Sequence, residues 1–212
     1  MTTDMHMTRR MAWLLAGLVL YGLSISMIVR AHIGLDPWSV LAQGIARTTG
    51  MSFGVVTDLV GVCVLLLWWP LSQRPGLGTV LNVLLVGPAA DLGLWLIPAP
   101  SAVAARLLLF VAGVGLLSVA TGLYLAPRLG PGPRDGLMTG LHSRFGWRLG
   151  WARTCVEVSV LIAGFLLGGQ VGFGTALEAL MIGPLVHRTV PWFRDRFVSS
   201  YGVGPVLVGS GS

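Results

Sequence analysis

The sequence contains no lysine, and only 10% of its 212 residues are charged. A soluble domain carries about 25%. With 54% hydrophobic residues and a mean hydropathy of +0.80, the chain has too little polar surface to hydrate, which excludes an ordinary soluble fold and points to lipid. The net charge of +6 is all arginine, and the arginines lie between apolar runs. Membrane topology accounts for that placement better than nucleic-acid binding, so no nucleic-acid partner is expected. Without lysine the usual phosphate-binding loop is excluded, and there is no His-Glu-x-x-His or Gly-x-Ser-x-Gly. His6, His32, His142 and His187 are too scattered to argue a metal site. No enzymatic activity, metal or cofactor is expected. Cys63 and Cys155 lie in apolar runs without metal spacing, and they read as two buried small hydrophobes.

What is present is a series of apolar segments, at roughly 11–29, 54–71, 76–98, 101–126, 150–169 and 172–192. Each is close to the ~20 residues that cross a bilayer as a helix. The first is too long for a signal peptide's apolar core and lacks a small-x-small cleavage site before Arg30, so it reads as a retained span. Gln73-Arg74-Pro75-Gly76 and Pro98-Ala99-Pro100-Ser101 mark tight turns between neighbours. Residues 199–212 read as a flexible tail. With the N-terminus inside, the inner segments hold ten arginines, Arg9, Arg10 and Arg74 among them, and the outer ones hold Arg30 and Arg47. Arg106 and Arg153 fall within spans. This bias places both termini in the cytoplasm.

The chain also repeats itself. A shift of ninety-six positions, without a gap, carries Gly34 onto Gly130, Pro37 onto Pro133, Leu41 onto Leu137, Gly44 onto Gly140 and Gly50 onto Gly146. Further along it carries Gly76 onto Gly172, Gly78 onto Gly174, Thr79 onto Thr175 and Gly87-Pro88 onto Gly183-Pro184. Glycines, prolines and a threonine in one register mark a duplicated half. We read a single integral membrane domain with repeats at 11–98 and 101–196.

Each repeat holds one segment too short to cross, 37–49 and 133–145, about 20 Å long as a helix. Asp36 is a natural N-cap with Pro37 at the first helical position and Gly50 as terminator; Gly132, Pro133 and Gly146 echo them. Each segment carries a polar stripe: Ser39, Gln43 and Arg47 in one, Asp135, Thr139 and Ser143 in the other. Three readings stand: a re-entrant helix in each half, an amphipathic helix at each membrane surface, or a full crossing by a distorted segment. If the segments re-enter, each half has three crossings, and the second half is inserted upside-down. The fold class expected is therefore an all-α polytopic membrane protein of six spans in two inverted three-helix repeats.

The Gly-x-Asp-Pro-Trp-Ser-Val-Leu run at 34–41, Gly-Leu-Gly-Thr at 76–79 and Gly-Pro at 87–88 resemble the YczE-like bacterial membrane proteins, a group that includes the YitT and YyaS proteins. The resemblance covers roughly 10 to 195. The second half departs from it, with Arg134 and Asp135 where the first has Trp38 and Ser39. It implies a multi-pass protein of the bacterial inner membrane and names no activity.

Ionisable residues inside spans are candidates for function, because burying charge in lipid is costly. Glu178 falls on Asn82 under the repeat, placing two polar groups at equivalent depths; hydrogen bonding across helices would serve packing alone. Glu157 stands one turn from Arg153, which reads as an ion pair. Asp58 reads as structural, and Asp91 lies near a span end. The helix starts at Pro37-Trp38-Ser39 and Pro133-Arg134-Asp135 offer backbone N–H groups to an anion, unless Asp36 or Asp135 fills them as a cap. The candidate substrate site is thus Asp36, Trp38, Ser39, Gln43, Asn82, Arg134, Asp135, Thr139, Glu157 and Glu178. The leading expectation is a carrier of a small solute with its site between the repeats, with Glu178 as the group that would couple movement to protons. The alternative is a membrane scaffold or regulator of another protein. Partners expected are the lipid bilayer, a small-molecule substrate, and a protein partner or second copy.

Overall fold

The computed structural model describes residues 2–201, and among these the chain is helical, with no strand. The eight helices are α1 (Thr2–Ala31), α2 (Pro37–Thr49), α3 (Phe53–Trp68), α4 (Leu77–Leu96), α5 (Val103–Leu125), α6 (Pro133–Phe145), α7 (Leu149–Leu166) and α8 (Phe173–Tyr201). The tail expected from 199 lies, beyond Tyr201, outside the described residues.

Local chemistry sets the short helices. The Asp36 carboxylate accepts from the Trp38 and Ser39 N–H groups at the start of α2, and Gly50 ends it in the left-handed region at φ 74°. Gly132 precedes Pro133 at the start of α6, and Gly146 ends that helix at φ 68°. Both pairs of boundaries are those expected.

The repeat holds at the level of helices: the bounds of α2 shifted by ninety-six are those of α6, and the starts of α3 and α4 map onto those of α7 and α8. The equivalent helices α1 and α5 pack along their length and run antiparallel. Arg10, early in α1, donates to the Pro127 carbonyl just past α5 at 2.7 and 3.2 Å; Arg106, early in α5, donates to the Ala31 carbonyl at the end of α1 at 2.7 Å. The linkers interlock in the same way. Gly174 N–H donates to the Ile33 carbonyl and Gly78 N–H to the Leu129 carbonyl, equivalent bonds that each join one half to the other.

The short helices are held by the opposite half. α2 packs on α7, where Gln43 Oε1 accepts from the Gln170 N–H at 2.7 Å and Arg47 donates to the Gly168 carbonyl. α6 packs on α3, where the Trp68 indole donates to the Pro133 carbonyl at 3.0 Å. Bulk is exchanged between these crossings. Trp68 fills the space over Gly136, whereas in the equivalent crossing Gly164 lies under Val40 and Leu41.

Four helices are long and apolar enough to cross a membrane: Met7–Ala31 within α1, α4, α5 and α7. The pair α2 and α3, bent by 117° at its break, makes a fifth. The expected span 54–71 falls on α3, only 16 residues long. That at 172–192 falls on α8, whose second half carries Arg188, Arg194, Asp195 and Arg196. Trp69, Trp95, Leu108, Leu166 and Leu180 stand exposed, as an apolar solvent permits. The cysteines correct the sequence reading: Cys63 and Cys155 are exposed rather than buried. In a chain bathed by hydrocarbon, an apolar position faces outward as readily as inward.

Candidate binding site

The starts of α2 and α6 meet. Asp36 Oδ1 takes three donors: the N–H groups of Trp38 (3.1 Å) and Ser39 (3.3 Å), and Arg134 Nη1 (3.1 Å). The cap of one short helix is thus also the ion-pair partner of the other. The Arg134 guanidinium lies 5.2 Å over the Trp38 ring, a cation–π contact that flattens it against the wall.

Beside this junction is a cavity of about 690 Å³, lined by α1, α2, α3, α4, α5, α6, α7 and the first half of α8. Seven of the expected site residues line it: Asp36, Trp38, Asn82, Arg134, Asp135, Glu157 and Glu178. Three do not. Gln43 holds the loop after α7, Thr139 bonds to its own helix at the Asp135 and Gly136 carbonyls, and Ser39 is buried. Glu178 is 3% exposed, and its Oε2 has no hydrogen-bond partner. The backbone N–H of Asp36 faces it. Trp38 Nε1 and Ser39 Oγ are likewise buried without a partner. Orphaned polar atoms of this kind are uncommon in folded proteins, and each calls for a reason. Arg153 pairs with Glu157 at 2.9 Å, one turn apart as expected.

Sequence reasoning missed Tyr21 and Tyr124, whose rings meet edge-on at 5.8 Å in the cavity wall. Tyr21 offered a signal, a phenol in the middle of an apolar run, whereas Tyr124, next to the last residue of α5, reads in sequence as an interfacial tyrosine. Asp58, read as structural, also lines the cavity, and its Oδ1 accepts from the Gly87 N–H at 3.0 Å.

The two halves differ on one side of the cavity. α3 and α4 are shut against each other: a Cβ on Gly54 would lie 2.1 Å from the Gly87 carbonyl oxygen. Asp91 fastens this seam by accepting from Ser52 Oγ (2.5 Å) and the Gly54 N–H (2.7 Å). Across α7 and α8 the cavity extends between the helices, with Arg153, Glu157 and Val158 on one side and Ala179 and Gly183 on the other. A Cβ on Gly150 or Gly183, the equivalents of Gly54 and Gly87, would meet nothing within 4 Å.

Apolar helices long enough to cross a bilayer, packed around a cavity with carboxylates in its largely apolar wall, define a polytopic membrane protein. The chain belongs to the family of unknown function DUF6198, which it matches over residues 8–190. It is 40% identical over 174 residues to an "Uncharacterized protein" of Haemophilus influenzae, covering 82% of this chain and 80% of that one. It is 28% identical over 184 residues to the "Uncharacterized membrane protein YczE" of Bacillus subtilis, covering 86% of each. With the "Uncharacterized protein YyaS" of the same species it shares 24% over 187 residues, 86% of this chain and 93% of that one. The resemblance expected from the Asp-Pro-Trp box is therefore to its own family. No solved structure matches the chain.

Proposed function

We propose that this protein is an inner-membrane carrier that moves a small solute by alternating access between two inverted repeats, without covalent chemistry. On this reading α1, α3 and α4 cross in one half and α5, α7 and α8 in the other, giving six spans with both termini cytoplasmic. α2 and α6 enter from opposite leaflets and meet in the middle. The antiparallel α1 and α5 and the burial of both helix starts support this over surface-lying helices.

The observation that carries the proposal is the unequal pair of seams. Gly54 and Gly87 close one, and the same glycines in the second half, Gly150 and Gly183, stand apart. Small residues repeated at a seam that is not packed are accounted for by a second state in which it closes and its counterpart opens. Rocking of this kind is how inverted-repeat carriers expose a fixed site to each side in turn. The state seen here opens along the ends of α7 and α8 that the arginine bias puts in the cytoplasm. Glu178, buried in the cavity wall, is the group that would exchange a proton with each cycle.

Disulfide trapping tests this. In a background carrying Cys63→Ser and Cys155→Ser, the pair Gly150→Cys and Gly183→Cys should crosslink during turnover and stop solute movement in proteoliposomes, with reduction restoring it. Gly183→Cys alone should react with a polar thiol reagent from the cytoplasmic side only. No crosslink, together with no flux across a broad metabolite panel and unchanged growth with Glu178→Gln, would end the carrier reading.

A second reading, a scaffold or regulator of another protein, draws on α7, where only Ala152 and Gly164 are buried and Trp151, Ile162 and Phe165 face outward. It predicts a stable complex on gentle purification and no flux.

A further inference from the structure

We propose that the cavity is a binding site for a monovalent organic cation with an apolar body. The purpose of such a site rests on the carrier reading, but the binding itself does not.

The first argument is where the charge sits. The chain carries a net +6, yet five of its eight carboxylates line this one cavity, against two of its fourteen arginines. Both arginines are already engaged, Arg134 with Asp36 at 3.1 Å and Arg153 with Glu157 at 2.9 Å. That leaves Asp58, Asp135 and Glu178 without a guanidinium partner. Asp58 has the Gly87 N–H, and Asp135 the Tyr124 hydroxyl. Glu178 Oε2 has nothing, although the residue is 97% buried and lies in the cavity wall. A carboxylate atom buried without a partner is costly to keep. An incoming positive charge supplies the partner, whereas an anion would enter a field of its own sign.

The second argument is the surface around that carboxylate. Tyr21 and Tyr124 present aromatic rings, and Val83, Val86, Leu161 and Ile182 supply apolar contact. Aromatic faces attract cations, most strongly where water is excluded. A hydrophilic metal ion fits such walls badly, and among the described residues no three His, Cys, Asp or Glu side chains converge to hold one. The volume of about 690 Å³ is that of a site for a molecule rather than an ion.

A matched pair of probes tests the sign directly. Tetraphenylphosphonium and tetraphenylborate have nearly the same shape and opposite charge. In equilibrium dialysis against the purified full chain in detergent, the cation should bind saturably and the borate only to the extent that it enters empty micelles. Glu178→Gln, close in size and checked by its thermal melt, should weaken cation binding at least tenfold; should it fail to fold, Asp135→Asn carries the same expectation. Borate binding as tight as the cation's, cation binding untouched by the variants, or saturable binding of neither overturns the proposal. Cation binding without flux of any solute in proteoliposomes would sink the carrier reading and leave this one standing. Flux of an anionic solute with no cation binding would do the reverse.

Discussion

Arg10 and Arg106, ninety-six positions apart, each grip the far end of the other's helix. Arg10 reaches the Pro127 carbonyl beyond α5, and Arg106 reaches the Ala31 carbonyl that ends α1. Carbonyls in the last turn of a helix have no partner within it. A guanidinium there also opposes the negative end of the helix dipole. The pair therefore pins α1 to α5 at both ends.

Replacing Arg10 or Arg106 by alanine should cost about 1.5–3 kcal/mol each, the range for hydrogen bonds to charged groups. The two sites are far apart, so the losses should add. Lysine should recover only part of either loss, because it lacks the planar fork. Thermal melts in detergent give the measurement, and a double variant as stable as the parent would contradict the reading.

Asp36 serves two structures at once, and its roles are separable. Asn caps a helix about as well as Asp, so Asp36→Asn should keep the start of α2 while giving up the ionic part of the contact to Arg134. A cycle of Asp36→Asn and Arg134→Gln should return a coupling of about 0.5–3 kcal/mol, the range for groups in contact. Coupling indistinguishable from zero would mean that the 3.1 Å contact carries no energy.

The shut seam should open by a local change. Asp91→Ala removes the acceptor for Ser52 and Gly54, and Asp58→Ala removes the one for Gly87. Hydrogen exchange should then quicken by about tenfold or more in peptides covering 52–58 and 87–91, given that each lost bond is worth about 1.5 kcal/mol. Peptides covering 148–154, where the equivalent seam already stands open, should keep their rates. Uniform quickening would mean global destabilisation instead.

The bounds of the short helices were legible because a cap, a first-turn proline and a glycine stop are local chemistry: Asp36, Pro37 and Gly50, then Gly132, Pro133 and Gly146. The placement of Asn82 and Glu178 in one cavity followed from the repeat register. The Asp36–Arg134 contact was not legible, since the register makes equivalents of positions 36 and 132, not of 36 and 134. Tyr21 and Tyr124 escaped for the same reason, having no polar counterparts: their equivalents are Leu117 and Ile28. The cysteines misled because hydrocarbon and protein interior select the same residues. The glycines do not tell the seams apart, because both halves carry them where only one pair touches; the carboxylates that fasten the shut seam do, since Asp91 and Asp58 fall on His187 and Thr154 in the other half.

The exchange of bulk between Trp68 and Gly136 on one side, and Gly164 and Val40 on the other, says something about ancestry. A molecule assembled from two first halves would drive an indole into a valine. One assembled from two second halves would leave glycine facing glycine across a hole. Whatever the unduplicated parent was, these descendants have specialised past self-assembly: each now fits its sibling and no longer fits itself.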